Sequence, residues 1–178
     1  MNKKNSGFSL VELIVVIAIM AVLVGVLAPA YLKYVEKSRK STDVDALSEI
    51  LEAAKTIAAD TEYEDLTEEG TQFIVTVDSK KVTLSTGSSK TDGEDDGKED
   101  AKDDLAEVWA DLANVKASGY DLKSKDFKNI EDEVYTGEVQ DNGSVEWTGY
   151  NANSKIFKYS KAFAQKFSDY GDKSEKKD

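Results

Sequence analysis

The sequence predicts an α+β fold: a long N-terminal helix, half membrane-spanning and half amphipathic, packed on a small antiparallel β-sheet head with additional short helices. Three observations predict it. Residues 13–32 form an uncharged apolar run of twenty residues. Apolar residues then recur at three- and four-residue steps as far as about Asp60, the period of a helix with one buried face. Beyond that, two pairs of alternating segments are each joined by polar turn residues, the pattern of antiparallel hairpins.

The first element is set by length and charge. At about 1.5 Å per residue, residues 13–32 cover roughly 30 Å, the thickness of a bilayer core. Residues 1–40 carry six cations against two carboxylates, a net +4, so residues 41–178 carry −16 of a chain total of −12. A basic, apolar start therefore precedes an acidic body, and the negative total argues against binding nucleic acid. The chain has no His and no Cys, which removes imidazole bases, zinc sites, thiol nucleophiles and disulfides. No phosphate-binding Gly-rich Lys motif is present, nor a Ser nucleophile with a matching base, so no enzymatic activity is expected.

Three devices share the composition of the first forty residues. Lys3 and Lys4, followed by an apolar run and Ala28-Pro29-Ala30, allow a secreted binding protein whose signal peptide is cut after Ala30. A permanent anchor and a segment that first spans and later leaves the membrane are the others. Glu12 weighs against the signal peptide, because a carboxylate costs about 2.5–3.5 kcal/mol at the centre of a membrane helix and calls for a partner. A cut between Gly7 and Phe8 would create that partner, an ammonium four residues before Glu12, one helical turn away.

Over residues 1–40, Met1 to Gly7 followed by Phe8-Ser-Leu-Val-Glu12-Leu-Ile-Val-Val-Ile-Ala-Ile resembles the short leader and N-terminal helix of type IV pilins and the related pseudopilins. The resemblance implies that a prepilin peptidase removes residues 1–7 on the cytoplasmic side and N-methylates Phe8. It implies that Glu12 pairs with the Phe8 amine of an adjacent subunit, and that the helix bends or melts near Pro29 on packing. It also implies a membrane-inserted precursor that a pilus assembly platform and its ATPase polymerise into an extracellular homo-oligomeric filament, with adhesion and twitching motility as family roles. A pseudopilin of a type II secretion or competence system shares the same helix. The cation count, two before the span and four after it, would by itself place the head in the cytoplasm; the resemblance places it outside.

The residues themselves agree with a packing helix. Ala18, Ala21 and Gly25 fall three to four apart, a spacing that lets helices approach closely. Pro29, one turn after Gly25, removes a hydrogen bond and weakens the helix locally. The run 8–32 is thus the expected membrane and filament-core segment. Residues 33–60 continue it as an amphipathic helix carrying Tyr34, Val35, Val44, Leu47, Ile50, Leu51, Ala54, Ile57 and Ala58 at helical spacing. A single rod from Phe8 would hold about 53 residues and measure about 80 Å.

Residues 61–178 then form the head. Residues 73–77 and 81–85 flank Asp78-Ser79-Lys80, and residues 134–139 and 144–148 flank Asp141-Asn142-Gly143, whose Asn-Gly step is a strong hairpin signal. Leu105, Val108, Trp109, Leu112 and Val115 predict a helix starting after Asp103 or Asp104, and Ile156, Tyr159, Phe163 and Phe167 predict one more, with the aromatic side chains as core anchors. In the absence of Cys, this aromatic face is what would fasten the C-terminal residues. Residues 85–104 read as an exposed acidic loop. Within it Asp92, Glu94, Asp96, Asp100 and Asp103 imitate a calcium-loop spacing, but Glu99 stands at the apolar position and the closing residue is a short Asp, so no cofactor is assigned.

Overall fold

The computed structural model describes residues 9–88, 99–130, 133–148 and 154–168. The chain divides into two units, residues 1–38 and 39–178, and one helix, α1 (Leu10–Ala59), contributes to both. Pro29 lies inside α1 without interrupting it. In the first unit the large apolar side chains from Leu10 to Leu32 are exposed. In the second unit Val44, Leu47, Ile50, Leu51, Ala54, Ile57 and Ala58 are buried, the positions that helical periodicity selects. Tyr34, read as part of that stripe, is instead 74% exposed; it precedes the residues that have a core to cover.

The head sheet has five strands: β1 (Thr71–Val77), β2 (Lys81–Ser88), β3 (Tyr120–Asp121), β4 (Glu133–Val139) and β5 (Val145–Thr148), in the order β3-β2-β1-β4-β5. All pairings are antiparallel, and the two expected hairpins join through β1 and β4, with Val75 opposite Tyr135. Asp78 closes the first turn: its carboxylate accepts the backbone N–H groups of Lys80 and Lys81 at 2.6 and 2.7 Å. Those two bonds hold its pKa below the ordinary carboxylate value. In the second turn the Gly143 N–H donates to the Gln140 carbonyl at 2.9 Å, and Gly143 takes φ +73°, a left-handed conformation that glycine adopts without a steric penalty. Gly137 is required for a different reason. A Cβ there would stand 2.6 Å from Val145 Cγ1, so β4 and β5 could not keep their present packing.

Two boundaries differ from the expected acidic loop at 85–104. Strand β2 continues to Ser88 because residues 85–88 still pair with Ile74 to Thr71, which satisfies the backbone whatever the side chains. Helix α2 (Glu99–Leu112) begins earlier than the expected cap at Asp103 or Asp104. Carboxylates in the first turns of a helix favour its positive end, so the acidic run helps to start α2. At its other end Asn114 takes φ +53°, Val115 N–H bonds the Ala110 carbonyl and Asn114 N–H the Asp111 carbonyl, a Schellman stop. Leu105 and Trp109 point into the core, while Leu112 is 48% exposed.

The expected single C-terminal helix is two, α3 (Lys155–Tyr159) and α4 (Lys161–Ser168). Two serines explain the break. The Ser154 hydroxyl accepts from Phe157 N–H at the start of α3, and the Ser160 hydroxyl accepts from Phe163 N–H at the start of α4. This bend brings Phe157, Phe163 and Phe167 around Tyr135, with ring centroids 5.0–6.3 Å apart, and Phe167 also meets Trp147 at 6.4 Å. On the other side of the core the Trp109 ring packs edge-on against Phe73, and its N–H donates to the Ile50 carbonyl at 2.8 Å.

A buried carboxylate joins helix to loop. Asp43, fully buried on α1, accepts from the Tyr120 hydroxyl at 2.8 Å, from Ser124 N–H at 2.7 Å and from Lys123 N–H at 2.9 Å. Burial and this hydrogen bond to Asp43 push the Tyr120 hydroxyl well above its ordinary pKa, so it stays a donor. One turn earlier Lys40 pairs with Asp126, holding that carboxyl below its usual range, and lies 5.6 Å from the centre of the Tyr159 ring. Removing Asp43 strands two backbone donors. Asp43→Ala is therefore expected to destabilise the head by about 2–4 kcal/mol, and Asp43→Asn by less, because its carbonyl still accepts. Urea unfolding of the full chain in detergent, followed by tryptophan fluorescence, measures both.

Candidate assembly site

The sequence reading places the site at the start of α1. Gly7 and Phe8 lie outside the described residues, so the structure says nothing of the scissile bond. Glu12 is described, and it caps its own helix: Oε2 accepts the Ser9 backbone N–H at 2.9 Å while Ser9 O accepts Leu13 N–H at 3.2 Å. Ser9 immediately precedes the helix and Glu12 is its third residue, the geometry of the acidic half of a capping box. A carboxylate in the first turn is further favoured by the helix dipole. The cost of placing an anion in an apolar segment is thus partly offset within the chain. The oxygen that caps is also the group able to receive an ammonium.

Around Glu12 the surface is apolar on every side. Leu13, Ile14, Ile17, Met20, Leu23, Val24 and Leu27 are between 51 and 64% exposed. Among the described residues α1 is the one helix long and apolar enough to cross a membrane, and that stretch buries nothing in its own chain. Gly25 has no heavy atom within 4 Å of where a Cβ would stand, so no contact inside the chain demands a glycine there. Its absent side chain is useful only to something that comes close from outside.

The head holds ionisable groups, but they are structural. Glu133 is 6% exposed and accepts the Tyr135 hydroxyl at 2.5 Å. Burial pushes the Glu133 carboxyl above its ordinary value, against the opposing bonds from Tyr135 and Ser154; burial first, then the Glu133 charge, raises the Tyr135 hydroxyl. No nucleophile stands beside the pair. At the end of α1 a cleft of about 480 Å³ is lined by Asp60, Glu64, Glu68 and Asp141 among others. Among the described residues no three carboxylates come together so as to hold a metal ion. Of the calcium-loop candidates, Asp92, Glu94 and Asp96 lie outside the described residues, and Asp100 and Asp103 fall in α2 with side chains outside the description.

Sequence reasoning missed Asp43 and Glu133. For Asp43 a signal existed: it lies four residues before Leu47 and seven before Ile50, on the buried stripe, where a charge demands a partner. Glu133 had only its place at the first residue of β4, next to an alternating run.

Residues 2–28 match the family model described as the prokaryotic N-terminal methylation motif, the signature of type IV pilins and pseudopilins. Searches of curated proteins and of solved structures found no match.

The Glu133 pair makes stability depend on pH with a definite sign. A carboxyl whose folded pKa lies above its unfolded value costs the native state most where it is ionised, so stability falls as pH rises through the folded value and recovers below the ordinary 4.5. Glu133→Gln keeps an acceptor for Tyr135 and cannot ionise. Its melting temperature relative to the parent chain should rise steadily between about pH 4 and about pH 8.

Proposed function

We propose that this chain, which carries the N-terminal signature of the type IV pilin and pseudopilin class, is a pilin: the structural subunit of a type IV pilus. It enters the membrane as a precursor through residues 8–32. Prepilin peptidase hydrolyses the Gly7–Phe8 amide, leaving a carboxylate on Gly7 and an ammonium on Phe8, which is then N-methylated. The assembly platform and its ATPase supply the energy, since the chain has no nucleotide motif of its own.

The observation that carries this reading is the start of α1: an apolar surface with no partner in the chain and one carboxylate, Glu12, bonded only to the helix end it caps. Lipid and neighbouring helices are equally apolar, so transfer from one to the other gains little from the hydrophobic effect. Register must come from packing and charge. Small residues Ala18, Ala21 and Gly25 permit close approach, and Glu12 can exchange its Ser9 N–H for the Phe8 ammonium of a sister subunit, a stronger charge-assisted bond. Pro29, at which α1 stays helical here, is a point where the helix can yield as subunits pack. The head is then carried to the cell exterior, where its surface sets adhesion or partner choice.

The mature N-terminus decides between readings. Mass spectrometry of the surface-sheared material is expected to find a chain beginning at methylated Phe8. A start at Tyr31 would establish a secreted protein instead, and a methylated chain confined to the membrane fraction would establish a pseudopilin. Glu12→Ala should lower sheared filament yield at least about tenfold, equivalent to about 1.4 kcal/mol, with membrane insertion unchanged. Undiminished filaments from that variant would remove the role of Glu12.

A further inference from the structure

The outer face of the head sheet contains a patch at odds with the rest of the molecule. Side chains on β1 alternate, and Phe73, Val75 and Val77 point into the core while Ile74 and Thr76 face out. The registers align their neighbours: Thr76 stands between Thr83 of β2 and Val134 of β4, and Ile74 between Ser85 and Thr136. Thr83, Ser85 and Val134 are exposed and the other three half-buried. Two complete rows of the sheet face are therefore uncharged, in a chain of which 33% is charged and whose net charge is −12. Acidic side chains return in the next row, where Glu138 lies opposite Glu146.

We infer that these two rows are a contact surface for the same face of a second copy of this chain. The reason is electrostatic. Copies that share a strong negative charge repel wherever acidic surfaces meet, and the least repulsive approach joins their neutral areas. A two-fold axis running across the strands places the two acidic rims at opposite ends of the contact, and Ile74 and Val134 give each face an apolar centre ringed by hydroxyls. The area sets how the contact is used. Strands about 4.8 Å apart and rows about 7 Å apart make the patch on the order of 200–300 Å² per copy, well under the roughly 800 Å² per partner of a stable interface. Isolated chains in dilute solution stay monomeric, and the contact acts where copies are held at high local concentration, in a membrane or along a polymer. Its use in joining heads of filament subunits rests on the pilin reading; the contact itself does not.

The chain has no cysteine, so single thiols report proximity without background. Ser85→Cys is nearly isosteric and lies in the patch, and Glu62→Cys is exposed elsewhere on the head. With the full chain in native membranes and a short bismaleimide crosslinker, Ser85→Cys should give at least about fivefold more crosslinked dimer than Glu62→Cys at equal expression. Adding Thr76→Glu to the Ser85→Cys chain should return the yield to the Glu62→Cys level. Equal yields from the two thiols, or a yield that Thr76→Glu leaves unchanged, would overturn the assignment. The N-terminal mass of the same sample separates the two readings: a crosslinked chain that retains residues 1–7 speaks against pilin processing and leaves the surface standing.

Discussion

Everything in this chain is arranged around one helix that covers a core with its second half and covers nothing with its first. A run of apolar residues that finds no partner within its own chain must be solvated by something else that is apolar, a bilayer or other helices. No interaction in the rest of the protein can relieve that requirement. The acidic body, free of Cys and His, supplies solubility and shape, and the apolar segment supplies the demand for company.

Glu12 shows how the segment tolerates an anion. Its carboxylate is not stranded, since it accepts the Ser9 N–H and sits at the positive end of a helix. The same location leaves it exposed to any cation that arrives at the helix start. A capping bond to a neutral amide is weaker than one to an ammonium, so the intrachain partner holds the group without competing strongly against an intermolecular one.

The head solves a different problem, holding a C-terminal segment without a disulfide. Two means are visible. One is the aromatic cluster in which Tyr135 and Trp147 receive Phe157, Phe163 and Phe167. The other is polar: Asp43 ties α1 to the loop after β3, and Lys40 ties it to Asp126. Apolar contacts tolerate sliding, whereas a carboxylate with three directed donors does not, so Asp43 sets the position of the loop along α1.

The sequence by itself determined what depends on near neighbours. The span, the amphipathic period from Val44 to Ala58, the Asn142-Gly143 turn and the motif around Phe8 and Glu12 are each written within a few residues, because helix faces and tight turns repeat over one or two turns of chain. The pairing of β1 with β4, the burial of Asp43 against residues 77 to 81 positions away, and the burial of Glu133 beneath Tyr135 were decided only by the tertiary structure. Those outcomes depend on which distant groups reach the same point in space, and a lone carboxylate reads alike in sequence whether it meets water or three buried donors. Ser160 belongs to the same class: it reads as an ordinary polar residue between aromatics, and folding makes it the end of one helix and the cap of the next.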